Sequence, residues 1–469
     1  MKPIYHLAAL LIIASFLSTA CSTNPASNEN EDEEEEIGEY FAVNDWIRER
    51  MDFYYFWNDL VPDETDGTLE PEQFFGSMLE ADDVFSNISD DAEEYLDNLV
   101  GSSYTAGYSP AFYRLSENGN EVIIVALFVY PDTPADEAGL KRGDVILKIN
   151  GQQLTTSNYL DLYYSESTSG SVTLGNLDRE KGEISEGETF PITKQQLELS
   201  PIVHTQIYEN EGTKTGYIFY SRFIDGTSDK FVHSLDDTLA ALQSKGVTDL
   251  VIDLRYNPGG TISTAKSFGN AIAPMSATQN KEIFVKFQYN EELQQAYLDE
   301  EGPESENLVV RFSESSVKLG LDKIYFLTTD RSASASELLI NGLDPYLDVV
   351  SIGTPTYGKF YGAFVITALN EMPSHDYVIA PVSLKYANAL GVTDFRDGLM
   401  PDHIVEEDLF DAIALGDSTD PLLAKALELI TGEAAPPAKI APALPYQQLE
   451  NPVELQKGNI LFNPKKRRN

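Results

Sequence analysis

Positive charge is scarce in this sequence. Its 469 residues hold 32 Lys and Arg against 76 Asp and Glu, which gives a formal net charge of −44 at pH 7. Binding to nucleic acid needs clustered basic side chains that face the phosphates. The composition therefore argues against a nucleic-acid partner, and it favours a soluble, self-repelling surface.

Cysteine and histidine are also rare. Cys21 is the single cysteine, so the chain has no partner for an internal disulfide. Beyond the first twenty residues the only histidines are His204, His233, His375 and His403. No cluster of His, Cys and carboxylates has the spacing of metal ligands, so the sequence predicts no metal site and no cofactor.

Long hydrophobic runs are missing as well. The apolar run from Leu7 to Leu17 is far shorter than the ~20 residues of a membrane-spanning helix. Lys2 precedes it, and small residues follow it and end at Cys21. The segment resembles a bacterial lipoprotein signal, in which the cysteine is lipidated and becomes the mature N-terminus. We expect residues 1–20 to be this signal; a plain secretory signal is the alternative.

An acidic segment follows Cys21. Seven of the eight residues from Glu29 to Glu36 are acidic, so residues 21–38 are expected to be a solvated tether. An acidic run behind a lipidated cysteine also resembles the surface-export signal of Bacteroidetes lipoproteins. The predicted location is the bacterial cell envelope, with a lipid anchor in the outer membrane, facing either the periplasm or the exterior.

The remaining chain is too long for one core and should form several domains. Amphipathic patterns predict a helical N-terminal domain over residues 39–100, with an aromatic stripe that is either core or ligand surface. Strand patterns dominate residues 101–197. Strands and helices alternate over residues 198–431, which predicts an α/β core with a largely parallel sheet. Residues 432–469 are read as a surface extension.

Residues 130–154 contain a recognisable sequence motif, YPDTPADEAGLKRGDVILKINGQQL. This motif resembles a PDZ domain. Such domains bind peptide C-termini by adding the peptide as a strand, with a backbone nest around its carboxylate. We expect the carboxylate loop to lie upstream, at Gly107 and Tyr108, and protein or peptide C-termini to be the partners.

Three motifs follow in order: DLRYNPGG (253–260), SASASE (332–337) and TYGK (356–359). Behind a PDZ domain, they resemble the C-terminal processing peptidases, which are tail-specific serine proteases of family S41. The resemblance implies a multidomain α/β fold with a crotonase-like core. It also implies a Ser–Lys dyad, in which Ser334 is the nucleophile and Lys359 is the base.

Two further segments carry the same resemblance. GLMPDHIVE (398–406) is similar to a late strand of the family, and WIRERMDFYYFW (46–57) is similar to the N-terminal part of its Bacteroidetes members. One position departs from the family, which usually has Gln four residues after the lysine, where this chain has Ala363. Either another polar group orients Lys359, or activity is weakened.

The surroundings of Ser334 indicate how it would work. A serine between a strand and a helix exposes its hydroxyl and aims free N–H groups at a substrate oxygen. The amide of Ala335 is one expected oxyanion donor; Gly259 or Gly260 supplies the second, and the sequence does not say which. Ser332 and Ser336 are expected to cap the helix or pack beneath the site.

The sequence therefore predicts a serine endopeptidase that acts on protein C-terminal tails captured by the PDZ domain. A non-catalytic PDZ-type binding protein is the first alternative, with Ala363 as a sign of decay. A Ser–His hydrolase is the second alternative, since triad partners need only meet in space.

Overall fold

The computed structural model describes residues 40–371, 374–434, 444–449 and 451, and the backbone of residues 461–462. The predicted signal peptide, the acidic tether and Cys21 lie outside these residues, as does most of the C-terminal extension. Across the described part of the chain, no helix combines the length and the apolar character needed to cross a membrane.

The N-terminal segment is mainly helical. Its elements are α1 (Phe41–Tyr54), a 3-10 turn (Asn58–Leu60), α2 (Pro71–Ser77), β1 (Asn87–Ser89) and α3 (Ala92–Leu99). The aromatic stripe is core. Trp46 and Tyr55 are buried in the same hydrophobic cluster as the α/β core, and the Trp57 ring lies 5.2 Å from that of Tyr361. The segment therefore packs directly onto the core.

The next segment forms the predicted PDZ domain. Its elements are β2 (Ser102–Thr105), β3 (Tyr108–Arg114), β4 (Val122–Val129), α4 (Pro134–Glu137), β5 (Val145–Ile149), β6 (Gln152–Gln153), α5 (Tyr159–Tyr164), β7 (Ser169–Asp178), β8 (Glu183–Thr193) and β9 (Gln195–Glu198). The main antiparallel path of its sheet runs β3-β4-β5-β7-β8. Helix α5 covers one side of β3, where the Tyr159 ring packs 4.9 Å from that of Phe112.

The core and the C-terminal extension contain the remaining elements. These are β10 (Ile202–Asn210), β11 (Thr213–Tyr220), a 3-10 turn (Thr227–Asp229), α6 (Lys230–Ser244), β12 (Asp249–Asp253), α7 (Ile262–Ile272), α8 (Met275–Gln279), β13 (Ile283–Gln288), α9 (Glu291–Glu301), β14 (Val309–Arg311), β15 (Lys323–Thr328), α10 (Ala335–Leu343), β16 (Asp348–Gly353), β17 (Tyr361–Phe364), β18 (Ile366–Thr367), β19 (Val378–Ala380), β20 (Val382–Ala387), β21 (His403–Ile404), a 3-10 turn (Leu409–Asp411), α11 (Pro421–Thr431), β22 (Gln447–Leu449) and β23 (Leu461–Phe462).

The main core sheet has six strands in the order β10-β11-β12-β15-β16-β21. Only the β10–β11 pair is antiparallel; the other pairs are parallel. The predicted multidomain α/β fold with a largely parallel sheet is confirmed. Because β12, β15 and β16 are neighbours, the loops at their carboxyl ends meet at one edge, where parallel sheets carry their sites.

A second core sheet has the order β14-β13-β20-β17-β23, and a small sheet joins β1 to β19 and β18. Two strands come from the C-terminal extension. Strand β22 adds to β3 of the PDZ domain, and β23 pairs in parallel with β17. The extension is therefore attached to both the PDZ domain and the core.

A buried ion cluster closes the end of β12. Arg255 is fully buried and pairs with Asp253 (2.8 Å), Asp420 (2.8 Å) and Glu407 (3.1 Å). Burial raises the pKa of Asp253, although the Arg255 guanidinium opposes that shift. The cluster ties the strand end to the start of α11, which makes Asp253 and Arg255 structural.

Candidate active site

Ser334 lies between β15 and α10 in a strained backbone conformation. Its φ is 60° and its ψ is −112°, the conformation of the first central residue of a type II′ turn, which Gly usually occupies. A non-glycine residue held there costs about 1–3 kcal/mol and marks a functional constraint. The residue is fully buried, and its hydroxyl makes no hydrogen bond to any residue that the structure describes.

Glu337 joins the nucleophile loop to the lysine loop. Its buried carboxylate accepts hydrogen bonds from the amides of Ser334 (2.8 Å), Gly358 (2.7 Å) and Lys359 (2.8 Å) and from Thr356 Oγ1 (2.5 Å). The Ser334 and Lys359 amides bind the same oxygen, Oε2. Burial raises the pKa of Glu337, and the donors oppose that shift. One carboxylate thus brings the two predicted dyad residues together.

Tyr386 on β20 makes a second link between the same two residues. Its hydroxyl is 3.2 Å from the carbonyl oxygens of both Ser334 and Lys359. Burial raises the pKa of Tyr386 well above its usual value, so the phenol remains a donor. Glu337 therefore binds the backbone amides of Ser334 and Lys359, and Tyr386 binds their backbone carbonyl oxygens.

Lys359 is buried, with only 4% of its surface exposed. Burial lowers the pKa of its ammonium to about 7, although the carboxylates of Asp83 and Glu337 oppose the shift. Its Nζ lies 5.0 Å from the centre of the Phe85 ring. A lysine with a pKa near neutrality is available as a neutral general base.

At position 363, where the resembled family usually has Gln, this chain has Ala, so other groups must surround Lys359. Ala363 is buried in β17 beside a register shift against β20, and it brings no polar atom to the site. The N-terminal segment brings to the lysine a carboxylate, that of Asp83, and an aromatic ring, that of Phe85. Asp83 is itself fixed, because its carboxylate accepts hydrogen bonds from Tyr55 Oη (2.8 Å) and the Ser86 amide (2.9 Å).

The glycine turn lies directly against Ser334. Gly259 has a φ of 110°, and a Cβ there would stand 2.7 Å from Ser334 Cβ and 2.8 Å from the Ala335 nitrogen. No side chain fits at that separation. Glycine at this position therefore lets the backbone approach the reacting groups.

The amides of the turn differ in availability. The Gly259 N–H donates to Asn257 Oδ1 at 2.8 Å. Among the described residues, the amides of Gly260 and Ala335 donate to no acceptor. Of the expected oxyanion donors, Ala335 and Gly260 are therefore open and Gly259 is engaged.

Asn257 and the flanking serines hold this geometry. The Asn257 carbonyl accepts from the Ala333 amide (3.0 Å) and Ser336 Oγ (3.0 Å). Ser332 Oγ donates to the Leu254 carbonyl at 2.7 Å. Ser332 and Ser336 thus tie the nucleophile loop to the glycine turn, which agrees with packing beneath the site; Ser334 itself occupies the N-cap position of α10.

None of the four histidines reaches Ser334 by a hydrogen bond within the described part of the chain. His375 packs against Trp46 with ring centres 4.6 Å apart, and His204 lies on β10, the outermost strand of the main sheet. The geometry therefore does not support a Ser–His pair.

The predicted carboxylate loop of the PDZ domain immediately precedes β3. Gly107 has a φ of 93°, and a Cβ there would stand 2.4 Å from the Thr133 side chain. Its amide donates to Thr105 Oγ1 at 3.1 Å. Tyr108 is buried, and its carbonyl accepts from Tyr163 Oη at 2.8 Å. The loop lies at the end of the groove between β3 and α5, and its role in binding a carboxylate stays a prediction.

Sequence reasoning missed four residues of the site: Asp83, Asn257, Glu337 and Tyr386. Glu337 had a local signal, because an acidic residue three positions after a serine before an apolar run is a capping-box pattern. Asn257 lies within the DLRYNPGG motif, and Asn commonly accepts a hydrogen bond from the amide two residues on. Asp83 and Tyr386 reach the site through the fold, and nothing in their neighbouring sequence marks them.

Known proteins share this organisation. The family descriptions Peptidase family S41, Peptidase S41 N-terminal domain and PDZ domain match residues 214–405, 42–87 and 128–174. A carboxyl-terminal-processing protease of Picosynechococcus sp. is 25% identical over 323 residues, which cover 69% of this chain and 70% of that protein. A protein of the same name from Synechocystis sp. is 27% identical over 305 residues, covering 65% and 64%.

A solved structure agrees with these matches. The crystal structure of an S41 protease from Bacteroides fragilis NCTC 9343 superposes with a TM-score of 0.68 at 25% sequence identity, covering 82% of this chain and 97% of that one. Its fold and the three family matches agree with the domain organisation described above. The chain therefore belongs to peptidase family S41, a family of serine peptidases, and carries a PDZ domain.

Proposed function

We propose that this protein is a serine endopeptidase that uses a Ser334–Lys359 dyad to cleave proteins near or from their C-terminal tails. The observation that carries the proposal is the shared anchoring of the two residues. Their amides bind one oxygen of Glu337, and burial lowers the pKa of the lysine to about 7. That arrangement supplies a strained serine together with a base whose neutral form is substantially populated near pH 7.

In the proposed reaction, Ser334 Oγ attacks the scissile carbonyl carbon while Lys359 Nζ accepts the hydroxyl proton. The Oγ–Nζ hydrogen bond must form when substrate is bound, because catalytic hydrogen bonds often tighten only in the complex. The Ala335 and Gly260 amides would donate to the oxyanion. Lys359 then returns the proton to the leaving amine, and a water molecule hydrolyses the acyl-enzyme with Lys359 again as base.

The pH dependence of hydrolysis tests the base. The reactive form is the neutral amine, so kcat/KM should rise with pH through a midpoint near the lowered pKa of about 7. Below the midpoint it should fall about tenfold per pH unit. The measurement is a pH profile of cleavage of a folded protein with an unstructured C-terminal tail, in metal-free buffer. A midpoint close to that of an ordinary lysine would contradict Lys359 as the base.

One observation favours a second candidate, a peptidase-fold protein that only binds peptides. Ala363 offers no polar atom to the lysine, and Ser334 Oγ is unpaired among the described residues. Under this alternative, no turnover occurs at any pH in the assay above, whereas peptide binding persists. The shared anchoring of Ser334 and Lys359 by Glu337, and the pKa of Lys359 that burial lowers to about 7, argue for the enzyme.

We also propose that the PDZ domain captures the substrate tail and that a lipid on Cys21 anchors the protein in the bacterial cell envelope. The anchor is tested by expression in a bacterial host fed labelled palmitate. Label should enter the wild-type protein and be absent from Cys21→Ser. A wild-type protein without label would indicate the plain secretory signal instead.

A further inference from the structure

Strand β22 of the C-terminal extension occupies the peptide groove of the PDZ domain. Strand β22 pairs antiparallel with β3, with Gln447 opposite Arg114, Gln448 opposite Tyr113 and Leu449 opposite Phe112. Without β22, β3 would be an edge strand with unpaired backbone groups. PDZ domains bind peptides by adding a strand to such an edge. The chain thus makes with its own tail the contact that the proposed function assigns to a substrate.

The direction of β22 matches that of a ligand. Gln447 pairs with Arg114, and Leu449, further along the tail, pairs with Phe112, which is nearer the start of β3. The tail therefore runs towards the start of β3 and the loop at Gly107. A substrate that ends in this groove would bring its carboxylate to the same loop. The tail therefore follows the path expected of a C-terminal peptide.

Side-chain contacts hold the tail in addition to the backbone pairing. Leu449 packs against the hydrophobic cluster of the PDZ domain, and Tyr164 Oη donates to Asn451 Oδ1 at 2.9 Å. Gln448 is exposed, and Gln447 is exposed with its amide oxygen accepting from Arg114. Of the three paired residues, only Leu449 packs its side chain into the PDZ domain, so Leu449 is the residue whose side chain the groove contacts.

The preceding residues fasten the tail on the other side. The ring of Tyr446 packs 5.3 Å from that of Phe410, and its hydroxyl donates to the Gly182 carbonyl at 3.2 Å. Phe410 in turn packs against Tyr113 of β3, with ring centres 5.1 Å apart. The tail is thus clamped between the PDZ domain and the core.

We propose that residues 446–449 and Asn451 form a tethered ligand of the PDZ groove, which a substrate tail must displace before it is bound. The proposal rests on the proposed function for its consequence, which is control of tail capture. The same contacts define the favoured substrate, an extended peptide in which an apolar residue follows two polar ones. A tethered competitor at an effective concentration of about 1 mM, with a Kd of about 0.1 mM, weakens capture about tenfold.

The test measures binding in the full chain with Ser334→Ala, so that no cleavage occurs. The probe is a fluorescein-labelled peptide of residues 444–449, LPYQQL, with a free carboxylate, followed by anisotropy. Leu449→Asp removes the packed side chain of the tail and should tighten probe binding about tenfold, because the groove is vacated. Leu444→Asp adds the same charge outside the pairing and is the matched control, for which no change is expected.

The outcomes separate this proposal from the proposed function. Unchanged affinity in Leu449→Asp, an equal gain in Leu444→Asp, or no probe binding to any variant would overturn the tethered ligand. In the Ser334 enzyme, Leu449→Asp should lower KM for a tailed protein by the same factor. If binding tightens as expected but no variant hydrolyses the tailed protein, the tethered ligand stands and the peptidase proposal fails.

Discussion

Replacement of Lys359 by methionine is expected to lower kcat for cleavage of a tailed protein by about 10⁴-fold or more, and Ser334→Ala should do the same. The serine hydroxyl is a poor nucleophile until a base takes its proton. Methionine is similar in length to lysine and suits a site with 4% exposure, so the protein should stay folded. Because the two residues act as a unit, the double variant should be no slower than either single variant.

The matched control is Lys385→Met. Lys385 is on β20, near the site, with its ammonium paired to Asp394 at 2.7 Å and 5.8 Å from the Phe360 ring. Its kcat should stay close to that of the wild type. The assay uses a folded protein with an unstructured C-terminal tail in metal-free buffer, with products identified by mass spectrometry. Full activity in both Ser334→Ala and Lys359→Met would eliminate the dyad.

Arg255→Met is expected to lower the free energy of unfolding by about 3–5 kcal/mol, because it leaves buried carboxylates without a counter-charge. Arg255 is fully buried with Asp253 and pairs with Asp420, whose side chain is 2% exposed. Since Asp253 ends β12, just before the glycine turn, disturbing the cluster should also lower activity. The measurement is the denaturation midpoint followed by circular dichroism.

Arg396→Met provides the matched comparison. Arg396 pairs with Asp82 at 3.3 Å, and the two side chains are 62% and 69% exposed. Exposed pairs contribute about 0–1 kcal/mol, so this variant should shift the midpoint only slightly. A shift for Arg255→Met no larger than that of Arg396→Met would show that the buried cluster does not stabilise the fold.

Ser334 and Lys359 could be proposed as nucleophile and base from the sequence because their signals are local. Ser334 lies in a strand–turn–helix pattern, and Lys359 follows it within a recognisable order of motifs. The roles of Asp83 and Tyr386 were not predictable. They come from distant segments, and each approaches Lys359 only after the N-terminal segment and the second sheet pack onto the main sheet.

The expected oxyanion donors were likewise only partly predictable from the sequence. The sequence offers two adjacent glycines, and both have positive φ. Only the folded chain distinguishes them, because the Gly259 amide donates to the Asn257 side chain and the Gly260 amide is left open among the described residues. A hydrogen bond of this kind depends on a side-chain rotamer, which residue order does not specify.

The C-terminal extension shows most clearly what could not be predicted from the sequence. Its Ala- and Pro-rich composition predicts a surface segment, but composition is silent on what the segment touches. By itself, the sequence determined the periodicities that predict the strands and helices of the α/β core, the PDZ sequence motif and the order of the Ser334 and Lys359 motifs. All of these depend on neighbouring residues. Tertiary structure alone decided that Glu337 joins the dyad loops and that β22 covers β3, because both depend on surfaces that exist only after distant strands have paired.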